Sequence, residues 1–308
     1  MTSAPPVTPP ARAPGSPRSA AARARRWWPA AVAVIIGAAV AVVALYPRGH
    51  GTANAGSTRI AEQTAVRNQA AAWVAADVGR NILVACDALT CADLAQDGFP
   101  AADLTVLQST APDLYGTQVI VATASVRSQF GGRLASVFAP EILASFGTGA
   151  NRIEIRVVAP DGAAAFRAAL SADLRARQSA GTQLLMRSTV IATPAARSEL
   201  QAGDVDSRLL TVLAFLASQQ PIDVLGFGRA APGASPGTPL RTADLAAADP
   251  AGGRDGAGYQ AALRTLLRSE IPLYEPASVS TVRLAGGQLA VQITYAAPSP
   301  LGLLGGAG

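Results

Sequence analysis

The sequence contains very little histidine and cysteine. His50 is the single histidine among 308 residues, and Cys86 and Cys91 are the only cysteines. Catalytic zinc needs three protein ligands, usually with histidine among them, and a serine hydrolase needs a base beside its nucleophile. These shortages argue against a zinc enzyme and against a histidine-dependent hydrolase. We therefore expect no protein-bound metal and no cofactor.

Acidic residues are missing from the first 46 residues. All 20 of them lie beyond Tyr46, where 20 arginines balance them, whereas five arginines precede Trp27. The net charge of +5 therefore belongs to the N-terminal tail, and the remainder of the chain is neutral overall. This distribution argues against a basic nucleic-acid-binding face, so nucleic acid is excluded as a partner.

Residues 27–46, WWPAAVAVIIGAAVAVVALY, carry no charge. Their length gives a helix of roughly 30 Å, the thickness of the hydrocarbon core of a bilayer. Arginines are retained on the cytoplasmic side, so we expect residues 1–26 to form a disordered cytoplasmic tail. The C-terminal part is then extracytoplasmic, and the bilayer is a partner through residues 27–46. Cleavage after Ala55, at an A-x-A pattern, is the alternative that would release the outer part.

Both cysteines lie in the outer part of the chain. An oxidising compartment favours a disulfide between Cys86 and Cys91, which would join the end of a strand to the following helix. The loop between them is short, so its entropic contribution to stability should be small.

The outer part reads as strands alternating with helices. Residues 47–58 are a spacer, residues 59–160 a first α/β module, residues 161–297 a second α/β module, and residues 298–308 a flexible tail. Alternating strands and helices predict mixed sheets covered by helices. The fold class is therefore α/β, with one transmembrane helix followed by two small modules.

Several elements of the modules can be predicted from local pattern. Residues 133–146, RLASVFAPEILASF, read as helical with a break before Pro140. RIEIRVV over residues 152–158 alternates as a strand does, so that Ile153, Ile155 and Val157 share a face. Residues 229–257 are rich in Gly, Pro and Ala and predict a long loop. VSTVRL and QLAVQITY flank residues 285–287, which predicts a β-hairpin.

The first module resembles the small extracytoplasmic domain of glycosyltransferase-like membrane proteins of high-GC actinobacteria. The resemblance covers residues 59–158 and implies a fold and a compartment. It implies no activity, because the polytopic catalytic part of those proteins has no counterpart here. The residues that match are Trp73, Val74, Asp87, Gly98, Phe99, Pro100, Phe146, Gly147, Gly149, Arg152, Ile153 and Glu154.

Residues 188–246 are similar to part of the D-Ala-D-Ala-carboxypeptidase-like zinc peptidases. The match is a helix, a strand, a glycine-rich loop and the segment Arg241-Thr-Ala-Asp244. Asp244 would occupy a metal-ligand position, but the metal-binding histidines of that family have no counterpart here. The resemblance therefore implies a domain that has lost the metal and the activity, and Asp244 is otherwise a helix cap.

Other short patterns fail as catalytic motifs. Ser235 lies in a G-x-S-x-G pattern, but Pro236 removes the backbone N–H that the oxyanion hole needs. Asp204 and Asp206 are explained as helix caps. Asp87 follows a strand at its carboxyl end, where open α/β sheets bind ligands, and it is the best candidate for a binding site. The alternative is a turn residue beside the disulfide.

The sequence therefore predicts a single-pass, membrane-anchored extracytoplasmic protein of the cell envelope. Its modules would bind or organise a cell-wall polymer or an envelope protein without catalysis, through Asp87 or Asp244. Two other functions stay open: a cell-wall glycan or peptide hydrolase that uses carboxylates, and a transmembrane signalling protein with the N-terminal tail as its output. Converging carboxylates in a deep pocket would favour the hydrolase.

Overall fold

The computed structural model describes residues 55–108, 114, 116–228, 232–247, 273–284 and 287–304, with a few helical positions between 258 and 267. Residues 54–308 form one compact unit. The predicted cytoplasmic tail, the predicted transmembrane helix over 27–46 and most of the spacer lie outside the described residues. Within the described part, no helix combines the length and the apolar character that crossing a membrane requires.

The first sheet has five strands in the order β2-β1-β3-β5-β4. β1 is parallel to β2 and to β3, while β5 runs antiparallel to its neighbours β3 and β4. The elements are α1 (Ala55–Asp77), β1 (Val84–Cys86), α2 (Ala88–Gln96), β2 (Leu104–Val106), β3 (Val119–Ala122), α3 (Ala124–Phe130), β4 (Glu141–Phe146) and β5 (Ile153–Val157). Because α1 begins at Ala55, the last residues of the predicted spacer are helical instead.

Apolar residues bury both faces of the first sheet, as predicted. Ile153, Ile155 and Val157 lie in one core with α1. Ile120 and Ala122 lie in a second core on the opposite face. The sheet is covered on both sides because its central strands are short continuous apolar runs.

The prediction of helix over residues 133–146 is wrong in its second half. A single helical turn spans Leu134–Phe138 and ends before Pro140, and Glu141–Phe146 is then an edge strand. β4 pairs with β5, with an irregularity between Ile142 and Ala144. Tertiary pairing overrides the helical pattern here, because β5 offers an unpaired edge that these residues complete.

The second sheet also has five strands, in the order β6-β7-β8-β10-β9. β6 and β7 are parallel, and the other pairs are antiparallel. The elements are α4 (Ala163–Leu185), β6 (Val190–Ala192), α5 (Pro194–Ala202), α6 (Ser207–Gln219), β7 (Ile222–Gly228), β8 (Thr242–Ala247), β9 (Ser278–Arg283) and β10 (Leu289–Thr294). The predicted hairpin is confirmed by β9 and β10, with Gly287 at a φ of +87°.

The predicted loop over residues 229–257 contains a strand that the composition concealed. β8 lies at the centre of the second sheet, between β7 and β10. Its sequence, TADLAA, has low intrinsic strand preference, but Ala243 and Leu245 are fully buried in the core. Burial between two partner strands therefore decides its conformation.

Backbone hydrogen bonds join the two modules. Ala297 donates to Asp77 O over 2.7 Å and accepts from Gly79 N over 2.9 Å. Along the free edge of β4, Ser145 N donates to Gly233 O, and Ser235 N donates to Leu143 O. The two modules have separate sheets, and these contacts hold them in one unit.

The described part of the predicted flexible tail is bound to the second module. Ser299 Oγ donates to Asp206 Oδ2 over 2.6 Å, and Gly302 N donates to Asp173 Oδ1 over 3.1 Å. Hydrogen bonds thus hold residues 298–304 in place, whereas their composition predicts a flexible tail.

Candidate functional site

Asp87 lies where β1 ends and α2 begins, and Thr123 has the same position between β3 and α3. Each side chain caps its helix: Asp87 Oδ1 accepts from Thr90 N over 2.9 Å, and Thr123 Oγ1 accepts from Val126 N over 3.5 Å. β1 and β3 are adjacent and parallel, so their carboxyl ends bring Asp87 and Thr123 together.

The carboxylate of Asp87 accepts two further hydrogen bonds. Thr123 Oγ1 donates to Oδ2 over 2.6 Å, and Ser125 Oγ lies 3.2 Å from the same oxygen. Burial by itself would raise the pKa of Asp87, but the hydrogen bonds from Thr123, Thr90 and Ser125 outweigh it and lower the pKa. Asp87 is therefore a fixed negative charge at neutral pH.

An open cleft of about 200 Å³ surrounds this carboxylate. Residues of α1, of the starts of α2 and α3, and of the turn between β4 and β5 line this cleft. The lining residues are Gln63, Arg67, Asp87, Leu89, Thr123, Ala124, Ser125, Ala150, Asn151 and Ile153. We refer to this group as the Asp87 cleft. The cleft lies at the carboxyl ends of β1 and β3, where the strand order reverses, which is where open α/β sheets usually bind ligands.

The β4–β5 turn is held in place from two sides. Arg127 donates to Ala122 O over 2.9 Å and to Ala150 O over 3.3 Å, and it also donates to Arg152 O. Gly147, at a φ of +67°, lets the turn approach α1, since a Cβ there would lie 2.9 Å from Val66 Cγ1. This packing fixes the position of Asn151 at the cleft.

The arginines near the cleft already have partners. Arg67, which lines the cleft, pairs with Asp93, and Arg152 pairs with Glu154 over 2.9 Å. Beyond the far end of α3, Arg133 lies 5.0 Å from the ring centroid of Phe138. An anion-binding cluster of arginines is therefore not formed on this part of the described surface.

The cysteines form the predicted disulfide, with their Cα atoms 5.5 Å apart. Cys86 is the last residue of β1, and Cys91 is in the first turns of α2. Both residues are buried in the first core. The disulfide therefore fixes the strand-to-helix connection that carries Asp87.

Asp244, the second predicted binding residue, lies on β8 and caps no helix. Its Oδ1 accepts from Gln292 Nε2 over 3.0 Å on the neighbouring strand. Among the described residues, no group of three His, Cys, Asp or Glu side chains could hold a metal. The structure therefore gives Asp244 a cross-strand hydrogen bond and places it away from the Asp87 cleft.

The other motif residues have structural positions. Asp206 caps α6 as predicted, with its side chain fully buried, whereas Asp204 is exposed. Ser235 lies in the loop that pairs with the edge of β4, so the G-x-S-x-G pattern does not form a strand-to-helix elbow. These observations leave the Asp87 cleft as the candidate site.

A second small cavity contains a carboxyl group with a perturbed pKa. Burial raises the pKa of Glu141 to about 7, while Arg177 lowers it and Asp173 raises it further. Trp73 and Arg241 also line this cavity. Its volume of about 10 Å³ admits no more than one water molecule, so this cavity is too small to hold a substrate.

Sequence reasoning found Asp87 but missed its neighbours. Thr123 and Ser125 could have been found, because Thr123 follows the apolar run VIVA as Asp87 follows VAC. Gln63 and Asn151 carry no such local signal, since they are 88 positions apart and meet through a 3.1 Å hydrogen bond.

No protein-family model matches this sequence, and no curated protein or solved structure matches it significantly.

Proposed function

We propose that this chain is a single-pass membrane-anchored protein of the cell envelope, and that its extracytoplasmic part binds an envelope ligand in the Asp87 cleft without catalysing a reaction. The observation that carries the proposal is the carboxylate of Asp87, which three protein donors hold ionised inside an open cleft. Fixed polar groups at the carboxyl ends of strands are the usual ligand contacts of open α/β sheets.

The proposed location rests on charge and on the disulfide. Uncharged residues 27–46 follow five arginines and precede all the acidic residues. This pattern supports a cytoplasmic N-terminus. The Cys86–Cys91 disulfide supports an extracytoplasmic position for the folded part, because cytosolic thiols are kept reduced.

The number and the pKa of the carboxyl groups in the cleft favour binding over hydrolysis. A glycoside hydrolase uses two carboxyl groups across one bond, and its acid has a raised pKa. Asp87 is the one carboxylate among the described residues that line its cleft, and its pKa is lowered. Glu141, whose pKa is raised, lines a different cavity that is too small for a substrate.

Co-sedimentation of the detergent-purified full-length protein with isolated cell-wall material tests this proposal. Asp87→Asn keeps an efficient helix cap but removes the charge. Because hydrogen bonds to charged groups contribute about 1.5–3 kcal/mol, we expect at least about tenfold weaker binding. Asp97→Asn, at the exposed other end of α2, is the matched control and should bind normally.

Equal sedimentation of the Asp87→Asn and Asp97→Asn variants would contradict the assignment of the site. For location, protease added to intact spheroplasts should degrade the folded part, and alkylation without reductant should leave both cysteines unmodified. Protection from the protease would contradict the proposed topology.

A further inference from the structure

We infer that the ligand of the Asp87 cleft is a neutral, hydroxyl-rich ring, namely a sugar residue of a surface polymer. This inference rests on the proposed function and specifies the ligand class of the same site. It follows from three properties of the cleft: its charge, its hydrogen-bonding groups and its size.

The charges of the cleft disfavour an anionic ligand. Asp87 presents an ionised carboxylate to the cleft. The guanidinium of Arg67 is paired with Asp93, and that of Arg127 donates to carbonyl oxygens behind the turn. A phosphate or carboxylate ligand would therefore meet a negative charge without a free arginine to offset it.

The same groups disfavour a cationic ligand. A carboxylate offers about four acceptor positions, and Thr90, Thr123 and Ser125 fill three of them at Asp87. The remaining position suits one hydroxyl donor better than an ammonium group, which brings three donors.

The remaining polar groups match hydroxyls, which both donate and accept. Gln63 Nε2 donates to Asn151 Oδ1, and neither amide makes another hydrogen bond with the described residues. Asn151 therefore has N–H donors to offer, and Gln63 has a carbonyl acceptor. Ser125 is exposed and lines the same cleft, so the cleft presents both donors and acceptors.

The size and the apolar rim of the cleft fit a single ring. Its volume of about 200 Å³ lies below the roughly 300–1,000 Å³ of sites for drug-sized ligands. Leu89, 67% exposed, adds an apolar surface to the rim, against which the C–H face of a sugar ring can pack. Because the cleft is open, the rest of a polymer can extend into solvent.

Saturation-transfer NMR on the full-length protein, in a detergent without a sugar headgroup, tests the inference. The probes are the methyl glycosides of glucose, galactose and mannose, with glucose 6-phosphate and glucosamine as charged comparators. We expect transfer to at least one neutral glycoside, stronger than to either charged sugar. Asp87→Asn and Asn151→Ala should each weaken it about tenfold or more, and Asp97→Asn should not.

Other outcomes separate the two proposals. Preferential binding of glucose 6-phosphate or glucosamine overturns the inference, and so does sugar binding that is insensitive to Asp87→Asn. A protein that sediments with cell-wall material through Asp87, but shows no transfer to any neutral glycoside, retains the proposed function and loses the sugar assignment. A protein that does neither loses both.

Discussion

Asp77, the last residue of α1, and Arg241, immediately before β8, form an ion pair between the two modules, with Nη2 3.3 Å from Oδ1. Both side chains are 6% exposed. Burial raises the pKa of Asp77 despite the attraction of Arg241, and burial also lowers the pKa of Arg241. Each shift disfavours the charged form, so desolvation exceeds the mutual attraction of the pair.

Removing one member of this pair should therefore destabilise the protein more than removing both. Arg241→Met leaves Asp77 buried and unpaired, and we expect the free energy of unfolding to fall by about 3–5 kcal/mol. Asp77→Leu combined with Arg241→Met should lose less, because no buried charge remains. Chemical denaturation of Arg241→Met, Asp77→Leu and the double variant measures this difference. A double variant that loses as much stability as the two single variants together would contradict the prediction.

Asp206 and Asp204 should differ sharply in their effect on stability. Asp206 accepts from Arg208 Nε, Arg208 Nη2 and Ser299 Oγ over 2.6–3.0 Å, and it is fully buried. Asp206→Ala leaves the Arg208 guanidinium without its carboxylate, so we expect a loss of about 3–5 kcal/mol. The exposed control Asp204→Ala should stay within about 0.5 kcal/mol. Similar denaturation midpoints for the two variants would refute this assignment.

Gly181 allows α4 to contact α5 closely. A Cβ at Gly181 would lie 2.1 Å from the backbone oxygen of Leu200. Gly181→Ala must move one helix, and overpacking of this kind costs about 1–3 kcal/mol or more. Gly132→Ala is the control, since nothing lies within 4 Å of its Cβ. Thermal unfolding should show a lower midpoint for Gly181→Ala alone.

Glu141 should make stability depend on pH. Its pKa rises from 4.5 to about 7 on folding, chiefly through burial, so the folded state favours the protonated form. The contribution is complete below about pH 4.5 and is lost as the pH rises through 7, by on the order of 3 kcal/mol. Asp173, Arg177 and Arg241 are the charged groups that face this carboxyl.

The Glu141→Gln variant isolates this dependence. Its stability relative to the wild type should increase between pH 4.5 and 8, because glutamine stays neutral. The exposed control Glu62→Gln should show no such trend. Urea denaturation across this range measures the difference in the free energy of unfolding between Glu141→Gln and the wild type. A difference that does not change with pH would show that the Glu141 carboxyl does not titrate there.

Local chemistry made part of the fold predictable. Thr193 followed by Pro194 predicts the start of α5, and the structure confirms the cap with a 3.2 Å hydrogen bond from Ala196 N. The alternation in β5 and the glycine-containing turn of the β9–β10 hairpin were equally visible. In each case residues that are close together in the sequence determine the local structure.

The elements that sequence reasoning missed depend on distant partners. β4 and β8 have alanine-containing sequences that also suit helices or loops, and each is a strand because a neighbouring strand pairs with it. The same distinction between local and distant causes applies to the residues of the candidate site. Asp87 was found from its own strand, whereas Gln63 and Asn151 reach the cleft from elements far apart in sequence.

Ala297 is part of the first core, although more than 130 residues separate it from the last strand of that sheet. Its hydrogen bonds with Asp77 and Gly79 form only after residue 297 has been synthesised. During synthesis the first module therefore stays incomplete until the second has emerged. A chain cut at residue 160 lacks a residue of the first core, so the folding of the first module depends on the second.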